Sequence, residues 1–202
     1  MFTEKEVKTL RNLFREFRYV MTTAEMHSIG LYYADIQKLL EEGLIEKLRR
    51  GYYLWAEPYF TSEAAIISRL FPDAVLCMDT ALFHYRYSER TPVAWHITID
   101  KNTSRQRTEI DYPFVQAYRV EPEILPIGES SSKIDGFEVR IYDRDRTICD
   151  VLRNVSKMDK EIFNKAIQNY VKDHRKNIPN LMLYAEQLRI QKRVKEWIGV
   201  WL

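Results

Sequence analysis

Cysteine is almost missing from this chain. Its two cysteines, Cys77 and Cys149, stand far apart and outside any CxxC arrangement. That spacing excludes a disulfide framework and a cysteine-based zinc site, and leaves two free, buried thiols as the expectation. Glycine is scarce as well, with six in the chain and none in GxGxxG or GxxxxGK order, so no glycine-rich phosphate loop can be built and no motif supports nucleotide binding. The four histidines, His27, His84, His96 and His174, show no HExxH or comparable spacing, so no metal site is expected. No apolar run approaches the roughly 20 residues that cross a bilayer. The N-terminal "MFTEKEVKTL" is charged from its fourth residue, so the protein is expected to be cytoplasmic, with no membrane partner. Internal repeats and low-complexity segments are absent.

An excess of one charge is missing too, since the net charge is only +2. What matters is the distribution. Residues 1–57 hold nine basic and nine acidic side chains, residues 58–150 eleven and fifteen, and residues 151–202 eleven and five. The C-terminal quarter is therefore basic and the middle acidic. What the chain does have is apolar and aromatic side chains, 46% and 13% of its 202 residues, enough for a real core in one large domain or two small ones.

The N-terminal region has a readable order. "TEKEVKTLRNLFREFR" places Val7, Leu10, Leu13, Phe14 and Phe17 at helical spacing. "TTAE" fits a capping box with Thr22 as N-cap and Glu25 reaching back, and the short helix it opens stops at Gly30. A further helix, Tyr33–Glu42, turns Ile36, Leu39 and Leu40 inward, leaves Tyr32, Tyr33, Gln37 and Lys38 toward the outside, and ends at Gly43. From Leu44 the spacing becomes alternating, and Gly51 suits the positive φ of a tight hairpin. Helix, helix, turn, helix, hairpin is the order of a winged helix-turn-helix, expected over residues 1–57. In that geometry Gln37 and Lys38 meet base edges in the major groove. Arg49 and Arg50 at the wing tip meet phosphates or the minor groove, and the tyrosines bond phosphate or stack. A solvated hairpin tip or a protein-binding module would carry the same pattern.

Residues 58–202 predict a mixed α/β domain ending in helices, so the whole is expected to be α+β. Thr61 or Ser62 caps a helix carrying Ala65, Ile66, Ile67 and Leu70. Strands are expected at 74–77, 93–100, 113–120 and 137–142, with a helix at 79–85 between the first two. Asp143 caps a helix with Ile148, Val151, Leu152 and Val155 as its apolar stripe. Two helices close the chain, one over 160–173 and one from Pro179 toward Trp197.

Three pieces, in order, resemble the AbiEi antitoxins of bacterial abortive-infection (type IV toxin–antitoxin) systems. "LLEEGLIEKLRRGYY" is similar to that family's winged-helix ending in an Arg-Gly-x-Tyr hairpin. "AVLCMDTALFHYRYSERTPVAWHITID" is similar to its strand, Ser-Ala-Leu-type helix and strand, although Asp79-Thr80 stands in place of Ser and His84-Tyr85-Arg86 in place of His-Gly. "DRDRTICDVL" resembles its Arg-Thr-aliphatic-x-Asp segment. The resemblance implies a transcriptional repressor that binds double-stranded DNA at repeats upstream of its own operon. It also implies that the C-terminal part neutralises a nucleotidyltransferase toxin of the AbiEii type. Alternatives are a regulator with no toxin partner and a divergent nuclease-like enzyme.

Arg146 and Asp150 are spaced i and i+4 and are expected to form a structural ion pair, with a toxin contact as the competing role. Asp143, Asp145 and Asp150 could hold magnesium near a scissile phosphate, but the expected acidic residue followed two positions later by lysine is replaced by Glu138-Val139-Arg140. No catalytic residue and no cofactor is therefore expected. Of the basic residues in the closing helices, Lys165, Lys172 and Lys176 are the candidates for a partner contact, against the alternatives of a solvated face and an auxiliary contact to DNA.

Overall fold

The computed structural model describes residues 2–56 and 62–199 and has a mixed α+β fold divided into two compact units. The first comprises Met1–Pro72 with Ile110–Pro113, and the second Asp73–Glu109 with Phe114–Leu202. The break expected at 57/58 and the cap at Thr61 lie outside the described residues. The helix just after them belongs to the first unit.

In that first unit the order is α1 (Glu4–Glu16), β1 (Val20–Thr22), α2 (Thr23–Ser28), α3 (Tyr33–Glu41), β2 (Ile45–Arg49), β3 (Tyr52–Trp55) and α4 (Glu63–Leu70). Two capping boxes start its first helices. Thr3 and Glu6 close one, and Thr22 and Glu25 the other, with the Thr22 N–H donating to Glu25 Oε2 at 2.7 Å and the Glu25 N–H to Thr22 Oγ1 at 3.2 Å. The strands form an antiparallel sheet in the order β1-β3-β2. β1 is too short to show alternation and follows Arg18 and Tyr19, both at positive φ; its pairing with β3, Val20 opposite Leu54, is what holds it. Phe14, Met21, Met26, Leu39, Ile45 and Trp55 fill the core beneath. Ser62 caps α4, which is tied to the same body by the Arg69–Glu25 pair at 2.5 Å and by Arg18 donating to Ser68 at 2.7 Å.

The second unit is built on a five-stranded mixed sheet in the order β6-β5-β4-β8-β7. Its strands are β4 (Val75–Leu76), β5 (Trp95–Asp100), β6 (Val115–Val120), β7 (Glu129–Ile134) and β8 (Phe137–Tyr142). β5 runs parallel to β6 and antiparallel to β4; β8 runs parallel to β4 and antiparallel to β7. Helix α5 (Met78–His84) follows β4, and α6 (Arg144–Arg153) follows β8. Helix α6 packs against α5, against α7 (Lys160–Lys172) and against α8 (Ile178–Gln187). The helix expected from Pro179 to Trp197 is two. Arg189 takes a left-handed φ of 57°, ending α8 before α9 (Gln191–Trp197) begins. Strand β7 was not expected either: "ESSSKI" lacks an apolar face, which an edge strand does not need. Among the described residues no helix is long and apolar enough to cross a membrane.

Candidate functional site

The first unit presents the N-terminal turn of α3. Tyr32 is its N-cap and donates its N–H to Asp35 Oδ2 at 2.9 Å, which fixes where the helix starts. Tyr32 and Tyr33 are 63% and 76% exposed, so both hydroxyls are accessible to a partner, with the Tyr32 ring 5.6 Å from that of His27. Gln37 and Lys38, on the same helix, are only half exposed, and Lys38 Nζ rests 4.4 Å from the centre of the Phe2 ring. The free surface of α3 is therefore its first turn rather than its middle.

At the hairpin the two arginines part company. Arg50 lies in the turn and is exposed. Arg49 folds back: Nη2 donates to the Leu70 carbonyl at 2.7 Å, and the guanidinium sits 4.2 Å from the Tyr52 ring centre and 5.4 Å from that of Phe71. It staples the hairpin to the end of α4, so its expected place beside Arg50 as a wing-tip cation does not hold in this geometry. The cause is a register shift between Lys47 and Arg49, which re-aims the side chains at the strand end. Gly51, at φ +79°, closes the turn and accepts the Thr23 N–H at 3.0 Å, pinning the tip to the start of α2.

In the second unit, α6 carries the polar groups. Asp143 caps it by accepting the Arg146 N–H at 2.7 Å and also accepts the Tyr184 hydroxyl at 2.9 Å. Asp145 accepts the Tyr170 hydroxyl and the Asn177 N–H, both at 2.8 Å; burial raises its pKa against the pull of those bonds. Arg146 is fully buried, with Nε on Asp150 Oδ1 at 3.2 Å, Nη1 on the carbonyls of Ile124 (3.1 Å) and Ile127 (2.6 Å), and its plane 4.0 Å from the Tyr142 ring centre. The three carboxylates weighed for magnesium are thus engaged in a cap, a helix tie and, through Asp150 Oδ1, an ion pair. Arg140, in the lysine place, pairs with Glu129 at 2.6 Å. No group of three or more His, Cys, Asp or Glu able to hold a metal occurs among the described residues.

Lys165 and Lys172 lie seven residues apart on α7, whereas Lys176 follows the helix and donates to the Asp173 carbonyl at 3.3 Å. Lys165 pairs with Glu161 at 3.0 Å and approaches Glu89 at 3.8 Å.

Motif reading missed a cleft of about 720 Å³ in this unit, between β5–β6 and the end of α6 with the 3₁₀ turn Val155–Lys157. Asp150, Arg153, Asn154 and Lys157 line one wall at helical spacing, and His96, Thr98, Gln116 and Tyr118 the other. The parallel pairing of β5 with β6 sets His96 opposite Gln116 and Thr98 opposite Tyr118. Only the polar stripe 150/153/154/157 on an otherwise packed helix hints at it in the sequence. No family model matches this chain, and no curated protein matches it either.

Proposed function

We propose that the first unit is a winged helix-turn-helix that binds double-stranded DNA, and that the protein is a cytoplasmic, non-enzymatic transcriptional autorepressor of the AbiEi antitoxin kind. One observation carries the DNA reading. The order α1-β1-α2-α3-β2-β3, with β1 paired to β3, brings the exposed first turn of α3 and the exposed Arg50 onto one small body with an independent core. A recognition helix reads base edges from its N-terminal residues, which here are Tyr32, Tyr33 and Ala34. Tyrosine hydroxyls donate to phosphate or base edges, and Arg50 supplies one phosphate contact. The hairpin is short and pinned at Gly51, so this wing contributes little beyond that contact.

The test is fluorescence anisotropy of the full chain on the DNA upstream of its own gene, against a scrambled duplex. Binding to the upstream fragment should be at least a hundredfold tighter. Tyr33→Ala should narrow that ratio, and Gln37→Ala should do so less. Equal affinity for both duplexes removes the regulator reading.

Neutralisation of a neighbouring nucleotidyltransferase toxin rests on the resemblance of the three segments quoted above. The engagement of Lys165 and Lys176 within the chain itself favours the second reading, a regulator with no toxin partner. Co-expression with the adjacent gene product decides: rescue of growth by the full chain supports the antitoxin, and growth arrest that it cannot relieve supports the plain regulator.

A further inference from the structure

The cleft of the second unit is lined by polar groups whose hydrogen-bonding capacity the protein leaves open. Asp150 is 6% exposed, and its Oδ1 takes Arg146 Nε, with Arg153 Nη1 at 4.0 Å. Its Oδ2 accepts no hydrogen bond among the described residues. Burial raises the Asp150 pKa against the opposing charges of Arg146 and Arg153, and a donor placed at Oδ2 would stabilise the carboxylate. Across the cleft, His96 Nδ1 lies 3.1 Å from the Tyr118 hydroxyl, and Nε2 has no hydrogen-bond partner among the described residues. Burial lowers the His96 pKa, opposed by Asp79, so the ring is neutral near pH 7.

Arg153 stands beside Asp150 on the same wall, and Lys157 lies toward its other end. Arg153 makes no hydrogen bond through its side chain, and Lys157 Nζ makes no hydrogen bond or ion pair among the described residues. Lys157 follows Asp150 by seven residues along α6 and the 3₁₀ turn, so at 1.5–2.0 Å per residue the acceptor and the cation stand roughly 10–14 Å apart along the axis. Met78 and Met158 supply an apolar surface, and Met78 holds a positive φ of 43°, a strained conformation of the kind that gathers at binding sites.

We propose that this cleft binds a mononucleotide with an amino-bearing base, the amino group donating to Asp150 Oδ2 and the phosphate meeting Arg153 and Lys157. The volume lies well inside the range of about 300–1,000 Å³ for small-molecule sites. The separation discriminates between candidate ligands. A free amino acid carries its ammonium and carboxylate on one carbon and so can bridge Asp150 and Arg153 but not reach Lys157, whereas the amino edge of a base and its 5′-phosphate stand apart on the scale of the Asp150–Lys157 separation. No glycine-rich loop is needed, because the cations replace its backbone donors. This inference stands independently of the DNA-binding reading.

Isothermal titration of the full chain with AMP, CMP, UMP, adenosine and inorganic phosphate tests it. Saturable binding of AMP or CMP is expected, at least tenfold tighter than UMP, which lacks the amino group, and than phosphate alone. Lys157→Glu reverses an unpaired cation and should weaken AMP at least tenfold, and Ala94→Trp should fill the cleft and abolish binding. Circular dichroism establishes that both variants are folded. Four results overturn the proposal: no saturable binding of any nucleotide at millimolar concentration, AMP binding unchanged in both folded variants, phosphate binding as tightly as AMP, or UMP binding as tightly as AMP.

Discussion

The two units place arginine in opposite circumstances. In the first, the core of Phe14, Met21, Met26, Leu39, Ile45 and Trp55 is wholly apolar, and Arg50 stands in solvent at the hairpin tip. In the second, Asp145, Arg146, Thr147 and Asp150 are all buried on one helix, and Arg146 is among the largest fully buried side chains described. A charge on an apolar body can be removed with little effect on folding. A charge inside a core cannot, because its partner is left desolvated and unpaired. The first unit therefore keeps Arg50 available for a ligand while Arg49 and Arg69 are tied within it, and the second uses Asp145, Arg146 and Asp150 to define its own packing.

The sharpest way to break this comparison is Arg146→Leu. It strands the Asp150 carboxylate and the carbonyls of Ile124 and Ile127, and should destabilise the protein by about 3–5 kcal/mol in urea unfolding. The double variant Arg146→Met with Asp150→Leu should recover most of that loss, since burying two apolar groups avoids the unpaired charge. A single-variant cost below about 1 kcal/mol, the ordinary size of a point substitution, would mean that the buried pair does not organise the unit.

Next in size is Gly128→Ala. Gly128 has φ +71°, and a Cβ there would lie 2.3 Å from Arg146 Cβ and 2.8 Å from its Cγ, which the buried side chain cannot yield. Left-handed strain and overpacking together should cost about 2–3 kcal/mol. Gly136→Ala is the control: φ +83° but nothing within 4 Å of the added atom, so only the backbone strain of about 1 kcal/mol remains. Equal losses at the two positions would show that contact with Arg146 is immaterial.

Much of this architecture was legible where the cause is local. Thr22 with Glu25 and Asp143 before α6 are caps that need only neighbours in sequence, and Phe137–Tyr142 alternates well enough to be read as a strand. What stayed hidden depends on distant partners. Strand β1 exists because β3 pairs with it, polar β7 because β8 does, and α4 joins the first unit through Glu25. At the candidate DNA surface, Tyr32 and Tyr33 were readable from their outward places on a helix. The withdrawal of Arg49 was not, because it follows from a register shift and a carbonyl twenty-one residues away. The cleft had no motif because two paired strands and a helix end supply its walls from three parts of the chain.

A smaller effect tests whether ionised groups support the second unit through pH. Asp173 is partly buried, which alone would raise its pKa. The backbone N–H of Arg175, the Tyr87 hydroxyl and the Arg175 and Arg144 guanidinium groups outweigh that and hold it at about 2. With the folded value below the unfolded one, its contribution is fully present above about pH 4 and is lost as pH falls toward 2. Asp173→Asn should cost about 1 kcal/mol at pH 7, after allowance for solvent screening, and the gap between variant and wild type should close over that acid window. Taking the difference matters, because Asp145 and Asp150, both raised by burial, respond to acid in the opposite sense. A gap that does not change between pH 7 and pH 2 would assign Asp173 to packing rather than charge.

The finest test lies between two adjacent residues of one hairpin. Arg50→Ala should leave urea unfolding within about 0.5 kcal/mol of wild type, because the side chain is exposed. It should also reduce the dependence of log K on log salt by about 0.9, the share of one phosphate contact, and weaken operator and random DNA alike. Arg49→Ala should do the reverse. Losing the bond to the Leu70 carbonyl and the stacking on Tyr52 should cost about 1–2 kcal/mol of stability, while the salt dependence measured on the folded protein stays as in wild type. If both variants lower the salt slope and neither affects unfolding, Arg49 leaves its place against α4 when DNA binds, and the two arginines act together on phosphates. If neither lowers the slope, the hairpin tip does not meet the DNA backbone, and the exposed turn of α3 must hold the duplex without it.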